Sequence, residues 1–208
     1  YGTHLYFREA LRTIPRDQVT ILTKLWWRYD GPAKDIRAGY RKHATHAALQ
    51  RFCHEINTDH LDIVLLHCMT SAGWDREMEV YMEALNEAKE KGQVRAVGVS
   101  CHDLGAMKTA AQCPWVDVLL ARINPKGNKM DGSPEEVIEV LRQTKANGKA
   151  VLGMKIFGEG TLAHQREDCI RFAQELGLID AMTIGFEEPG QVDDVLRLIA
   201  KYPAKSTA

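Results

Sequence analysis

The 208-residue sequence has no apolar run approaching the roughly 20 residues that a membrane-spanning helix needs, so no transmembrane segment is expected. Its five cysteines, Cys53, Cys68, Cys101, Cys113 and Cys169, include no CxxC pair, and their number is odd. That pattern favours reduced thiols in a cytoplasmic-type compartment over a disulfide framework. The formal net charge is -1, too little to provide a general field for nucleic acid or an anionic membrane, so neither is an expected partner. No Gly-x-Gly-x-x-Gly turn follows any apolar run, and Gly158-Glu159-Gly160 lacks the third glycine of that pattern. There is no low-complexity segment and no clear internal repeat. The chain opens on Tyr1 without a Met or a recognisable targeting segment, so its natural start is expected upstream.

What is present is an ordinary globular composition, 45% hydrophobic and 26% charged, enough to bury a full core in one domain over residues 1–208. The run Asp62-Ile63-Val64-Leu65-Leu66-His67 reads as a strand buried on both faces and ending on a titratable residue. Taken alone, His67 reads more readily as a core histidine bonded to a backbone carbonyl than as a site residue. It has company, however. Residues 19–24 form a second apolar run ending on Lys24, 94–100 a third ending at Ser100-Cys101-His102, and 151–155 a fourth ending on Lys155. Parallel α/β sheets place their ligands at the strands' C-terminal ends, so four such deliveries point to one site.

Between these runs the spacing predicts helices. Leu5, Phe7, Ala10 and Leu11 share the face of a short helix stopped by Pro15. Further helices are expected over 43–57, over 76–91 before Gly92, and over 104–112. Ser133-Pro134-Glu135-Glu136 opens another, with Ser as cap, Pro at the first position and Glu at the third, ending at Asn147-Gly148. Two more follow over 164–176 and 191–202. Strands are expected over 19–24, 62–67, 94–100, 116–123, 150–156 and 180–185. Trp26, Trp27, Tyr29, Gly31 and Pro32 form an aromatic loop, either a substrate wall or a cover for the sheet end. Six strands, each followed by a helix, give the alternation of a parallel sheet. A (β/α)8 TIM barrel usually needs about 250 residues. Six units therefore suggest a barrel whose first strands lie outside this sequence, with a doubly wound open sheet as the rival.

Tyr1-Gly2 opening a helix, Thr23-Lys24 ending a strand, Leu65-Leu66-His67 ending the next and Gly98-Val99-Ser100 ending the third resemble, in that order, the aldo-keto reductase family. Gly153 to Gly160 and Ile184-Gly185 to Gln191-Val192 resemble the same family's last two strand ends. The resemblance implies a (β/α)8 barrel that reduces carbonyl compounds with NAD(H) or NADP(H), bound without a Rossmann turn. It implies Tyr1, Lys24 and His67 as catalytic residues, with an aspartate five positions before the tyrosine falling upstream of residue 1. It implies cofactor contacts from Ser100, Cys101, Lys155, Gly158, Gly185, Glu188 and Gln191.

The chemistry shows why those residue types are wanted. Hydride delivered to a carbonyl carbon leaves an alkoxide, which a positioned acid must protonate as charge develops. A phenol, with a reference pKa of about 10, becomes a better donor beside a lysine cation, while a histidine N–H orients the substrate oxygen. The sequence also departs from the family pattern. Cys101 stands where an asparagine usually follows the serine, with His102 beside it. Leu120 replaces a glutamine and Met154 an aromatic. Phe186-Glu187-Glu188 replaces the bases that hold a 2'-phosphate, which favours NAD(H). Three rivals stay open: a Schiff-base lyase using Lys24 or Lys155, a metal-dependent hydrolase using His67-Cys68 and Cys101-His102, and a degenerate barrel that only binds a partner. The expected partner is a small carbonyl substrate of unspecified identity.

Overall fold

Six apolar runs become strands in this computed structural model, which describes residues 2–27 and 37–205. Tyr1 and the loop residues Tyr29, Gly31 and Pro32 lie outside the described residues. In chain order the elements are α1 (His4–Ala10), β1 (Leu22–Leu25), α2 (Ala38–Ile56), β2 (Leu61–Met69), α3 (Trp74–Glu77), α4 (Glu79–Glu90), β3 (Val94–Cys101) and α5 (Leu104–Gln112). They continue as β4 (Val118–Arg122), α6 (Pro134–Ala146), β5 (Ala150–Met154), α7 (Arg166–Glu175), β6 (Ala181–Thr183) and α8 (Pro189–Lys201). This is an α/β fold with parallel strands, and the chain divides into two compact units.

The first unit holds β1, β2 and most of β3, neighbours in chain order, with α1, α2 and α4. Leu22 to Leu25 pair in parallel with Ile63 to Leu66. Leu65 and Leu66 point to opposite faces of β2 and both are fully buried, as expected of a strand covered on both sides. Leu49, Phe52 and Ile56 of α2 and Tyr81, Leu85 and Ala88 of α4 supply the helical part of this core. At the strands' N-terminal end Asp62 is a buried staple. Its Oδ2 accepts the Ile21 N–H at 2.8 Å and Arg16 at 2.7 Å, and its Oδ1 accepts Arg95 at 2.9 Å. Several expected boundaries move, and β1 starts at Leu22 rather than 19. The second helix starts at Ala38 rather than 43, and the helix expected over 76–91 is interrupted at Met78, whose φ of -101° leaves the helical range.

The second unit holds the end of β3 and the strands β4, β5 and β6, again in chain order, with α5 to α8. Val118 to Arg122 pair in parallel with Ala150 to Met154, and Leu152 to Met154 with Ala181 to Thr183. The capping box at α6 is present: Ser133 Oγ accepts the Glu136 N–H, and Glu136 Oε2 accepts the Ser133 N–H at 2.9 Å. Gly153 is needed by packing, since a Cβ there would lie 3.1 Å from both Ile123 and Ile156. β6 is shorter than the expected 180–185, with Ala181 and Thr183 exposed, so Gly185 follows the strand instead of ending it. α7 begins at Arg166 instead of 164, after two short 3-10 turns. β5 stops at Met154, leaving Lys155 just beyond the strand in a left-handed conformation at φ 57°.

Candidate active site

In the first unit the register of β1 on β2 places two candidate catalytic residues together. Lys24 lies opposite Leu65, and alternation returns His67 to that same face two residues further on. Lys24 is half-buried, and His67 keeps only 5% of its surface exposed. Trp26, immediately after β1, sets its ring edge-to-face on the His67 imidazole at 4.9 Å. Trp26 therefore covers the histidine, which is compatible with either reading of the aromatic loop. β2 does not stop at His67 as expected but continues to Met69. Cys68 stands at φ 67°, unusual for a residue with a side chain, so the backbone turns directly after the histidine.

On the opposite face of β1, Thr23 accompanies Lys24 and bonds to His4, which also reaches Glu55 of α2. Sequence reasoning left His4 unremarked. Its partners are 19 and 51 residues away, and nothing local marks them.

The second unit gathers most of the expected cofactor residues, at two places. Ser100, at the end of β3, is fully buried, and its Oγ lies 3.4 Å from His102 Nε2. Arg122 Nη2 bonds to His102 Nδ1, and Arg122 Nη1 lies 3.3 Å from Asp131 Oδ1. A guanidinium can only donate, so Nδ1 accepts, and a neutral His102 carries its proton on Nε2 toward Ser100. Burial pushes the Asp131 carboxyl up despite the Arg122 cation beside it. Arg122 and Asp131 were missed in the sequence because they read as strand-end and loop charges. Cys101 is completely buried, and that burial raises its thiol well above the ordinary range, so it offers neither a thiolate nucleophile nor a ready thiolate ligand. His102 is a polar neighbour of Ser100.

The second place is a cavity of about 660 Å³, lined among others by Lys155, Glu159, Arg166, Gly185, Glu187 and Gln191. That volume falls in the usual range for small-molecule and cofactor sites. A Cβ built on Gly185 meets nothing within 4 Å, so the glycine keeps the wall open. Lys155 donates to Glu159 at 2.7 Å, and Arg166 lies 3.5 Å from Asp194. Hydrogen bonding from Lys155 holds the Glu159 carboxyl below its ordinary value. Lys155 is therefore an ion-paired lysine, not the desolvated amine that Schiff-base chemistry wants. Gln191 accepts the Glu187 N–H at 2.9 Å and so shapes the turn before α8. Gly158 is buried beneath its loop at φ 56°, where a Cβ would come within 2.7 Å of Thr161 Oγ1, which is a packing reason for glycine. Glu188 is the residue before α8 and is exposed.

With its open glycine wall and the start of α8 beside it, the cavity has room for a small molecule or part of a cofactor. Among the described residues no group of three or more His, Cys, Asp or Glu side chains is placed to hold a metal ion. Among them too, no helix is long and apolar enough to cross a membrane.

The model of the aldo/keto reductase family matches residues 4–200. The chain belongs to the aldo/keto reductase family. It is 30% identical over 136 residues to methylglyoxal reductase DkgB of Salmonella typhimurium, covering 65% of this chain and 45% of that protein. It is 24% identical over 155 residues to the NADH-specific methylglyoxal reductase of Escherichia coli K12, covering 69% of this chain and 44% of that one. The chain thus spans less than half the length of these curated relatives. An aldo/keto reductase from Klebsiella pneumoniae, solved with NADP and acetate, superposes with a TM-score of 0.62 at 17% identity, covering 98% of this chain and 77% of that one.

Proposed function

We propose that this aldo/keto reductase transfers hydride between a nicotinamide cofactor and a small carbonyl compound, with Tyr1 as proton donor, Lys24 as its cationic neighbour and His67 as the donor that orients the substrate oxygen. The observation that carries the reading is the placement of Lys24 and His67 on one face of adjacent strands, with Trp26 against the histidine. When bound, a reduced nicotinamide supplies the hydride. The protein's part is to hold the carbonyl oxygen against His67, exclude water with Trp26, and deliver the phenol proton as negative charge grows on that oxygen. Lys24 favours the phenolate and so eases the proton's departure.

The six βα units are read as part of a (β/α)8 barrel. Ser100 and its His102–Arg122 neighbours are read as the carboxamide end of the cofactor site, and the cavity beside Gly185 and Gln191 as its adenosine end. Two cations and three carboxylates line that cavity, which supports NAD(H) over NADP(H). Reduction of methylglyoxal by two relatives makes a small keto-aldehyde the first substrate to try. The test is a nicotinamide-fluorescence titration of the full-length protein, followed by turnover of methylglyoxal by wild type and Tyr1→Phe. Cofactor binding by both proteins with turnover only by wild type supports the reading, and comparable turnover by the variant removes Tyr1 from its role.

A further inference from the structure

His4 stands three residues after Tyr1 and ties α1 to the strand that carries Lys24. Its Nδ1 is 2.6 Å from Glu55 Oε2 on α2, and its Nε2 is 2.9 Å from Thr23 Oγ1 on β1. A carboxylate only accepts, so Nδ1 carries a proton, and in the neutral ring the Thr23 hydroxyl donates to Nε2. The imidazole also packs edge-on against Phe52 at 5.0 Å, and Arg51 lies 3.7 Å from Glu55. These contacts matter because, although α1 lies along α2, it buries little of its own surface. It is seven residues long, none of them buried, and Leu5, Tyr6 and Phe7 are exposed. A helix of that length is not stable on its own and takes its position from its tertiary contacts.

Thr23 is the residue before Lys24 and faces the other side of β1. One hydrogen bond therefore joins the neighbourhood of Tyr1 in the sequence to the backbone that presents Lys24. We propose that His4 is a positioning residue whose bond to Thr23 sets α1 against the strand carrying Lys24. The proposal rests on the reading of Tyr1 and Lys24 given above. Glu55 holds the imidazole in the tautomer and orientation that this bond requires.

The test uses Thr23→Val, which removes the hydroxyl at nearly constant shape, together with His4→Ala and His4→Gln, whose amide can still reach Thr23. In the full-length protein, kcat for methylglyoxal reduction should fall about tenfold or more in Thr23→Val and His4→Ala, since small displacements of reacting groups cost that much. NADH affinity should stay unchanged, and His4→Gln should recover most of the rate. A readout independent of turnover is the fluorine NMR signal of 3-fluorotyrosine placed at Tyr1. It should shift or broaden in Thr23→Val and return to its wild-type form in His4→Gln. An identical fluorine signal in wild type and Thr23→Val overturns the inference, as does an unchanged kcat in Thr23→Val and His4→Ala. A responsive fluorine signal in a wild-type protein that reduces no carbonyl compound would keep the positioning link and remove the reductase reading.

Discussion

Lys24 and His67 share one face of two adjacent parallel strands, because Lys24 lies across from Leu65 and His67 is the next residue of β2 on that side. Their mutual placement depends on backbone register and not on a loop, so single substitutions should remove one function each. Lys24→Met should lower kcat by about a hundredfold, the scale of a general-acid contribution, with NADH affinity nearly intact. His67→Ala should lower kcat and weaken substrate binding. Steady-state kinetics beside fluorescence titration separates the two effects, and a Lys24→Met enzyme with wild-type kcat would refute the assignment.

Cofactor access is predicted to hinge on Gly185. The glycine lines the cavity, its φ is not in the left-handed region, and the space beside it is open. Gly185→Leu should therefore project into the cavity at little cost to folding. The expected result is an NADH dissociation constant raised about tenfold or more, corresponding to roughly 1.4 kcal/mol, with an unchanged urea midpoint. Wild-type affinity in Gly185→Leu would place the cofactor elsewhere.

Selectivity should follow the carboxylates. A 2'-phosphate set a few ångströms from Glu187 meets repulsion on the order of 1 kcal/mol in water and more where solvent is excluded. NADH should bind tighter than NADPH in the unmodified protein. Glu187→Arg should narrow or reverse the gap, with Glu188→Arg having the smaller effect because Glu187 lines the cavity. Direct titration of both cofactors decides the matter, and tighter NADPH binding by the wild type would contradict the account.

Acid stability should track Asp62. Burial pushes its carboxyl up, but the Ile21 N–H, Arg16 and Arg95 outweigh burial and hold it below the ordinary carboxylate value. A carboxyl depressed in the folded state contributes stability that is fully present above its unfolded value, about 3.9, and is lost as pH falls through its folded value. Asp62→Asn should cost on the order of 3 kcal/mol at neutral pH, as expected when one partner of a buried ion pair is removed. The difference from wild type should shrink below about pH 4. Urea unfolding across that range measures it, and a pH-independent difference would show that the charge is not the cause.

Much of the fold was legible because strands buried on both faces leave unbroken apolar runs, and Ser133-Pro134-Glu135-Glu136 spells out a helix start. Edges were less legible. The first turn of α2 carries Gly39, Tyr40 and Arg41, exposed or half-buried residues with no apolar period, and β6 buries too little to leave a pattern. Lys24 and His67 could be found because each punctuates an apolar run. His4, Arg122 and Asp131 could not, since their meaning lies in partners set by tertiary structure. Arg166 was hidden in the charged first turn of α7, where a solvated face is the ordinary reading. It is the fold that brings it to the cavity wall.

The most direct measurement follows the hydride itself. Full-length protein is given methylglyoxal and NADH carrying deuterium at the transferable ring position, and the alcohol is analysed by mass spectrometry and NMR. Deuterium bonded to the new carbinol carbon, one per turnover, with none transferred by Tyr1→Phe, is the predicted result. Product without deuterium at that carbon, or no product from a protein that binds NADH tightly, would contradict the assignment of this chain as a nicotinamide-dependent carbonyl reductase.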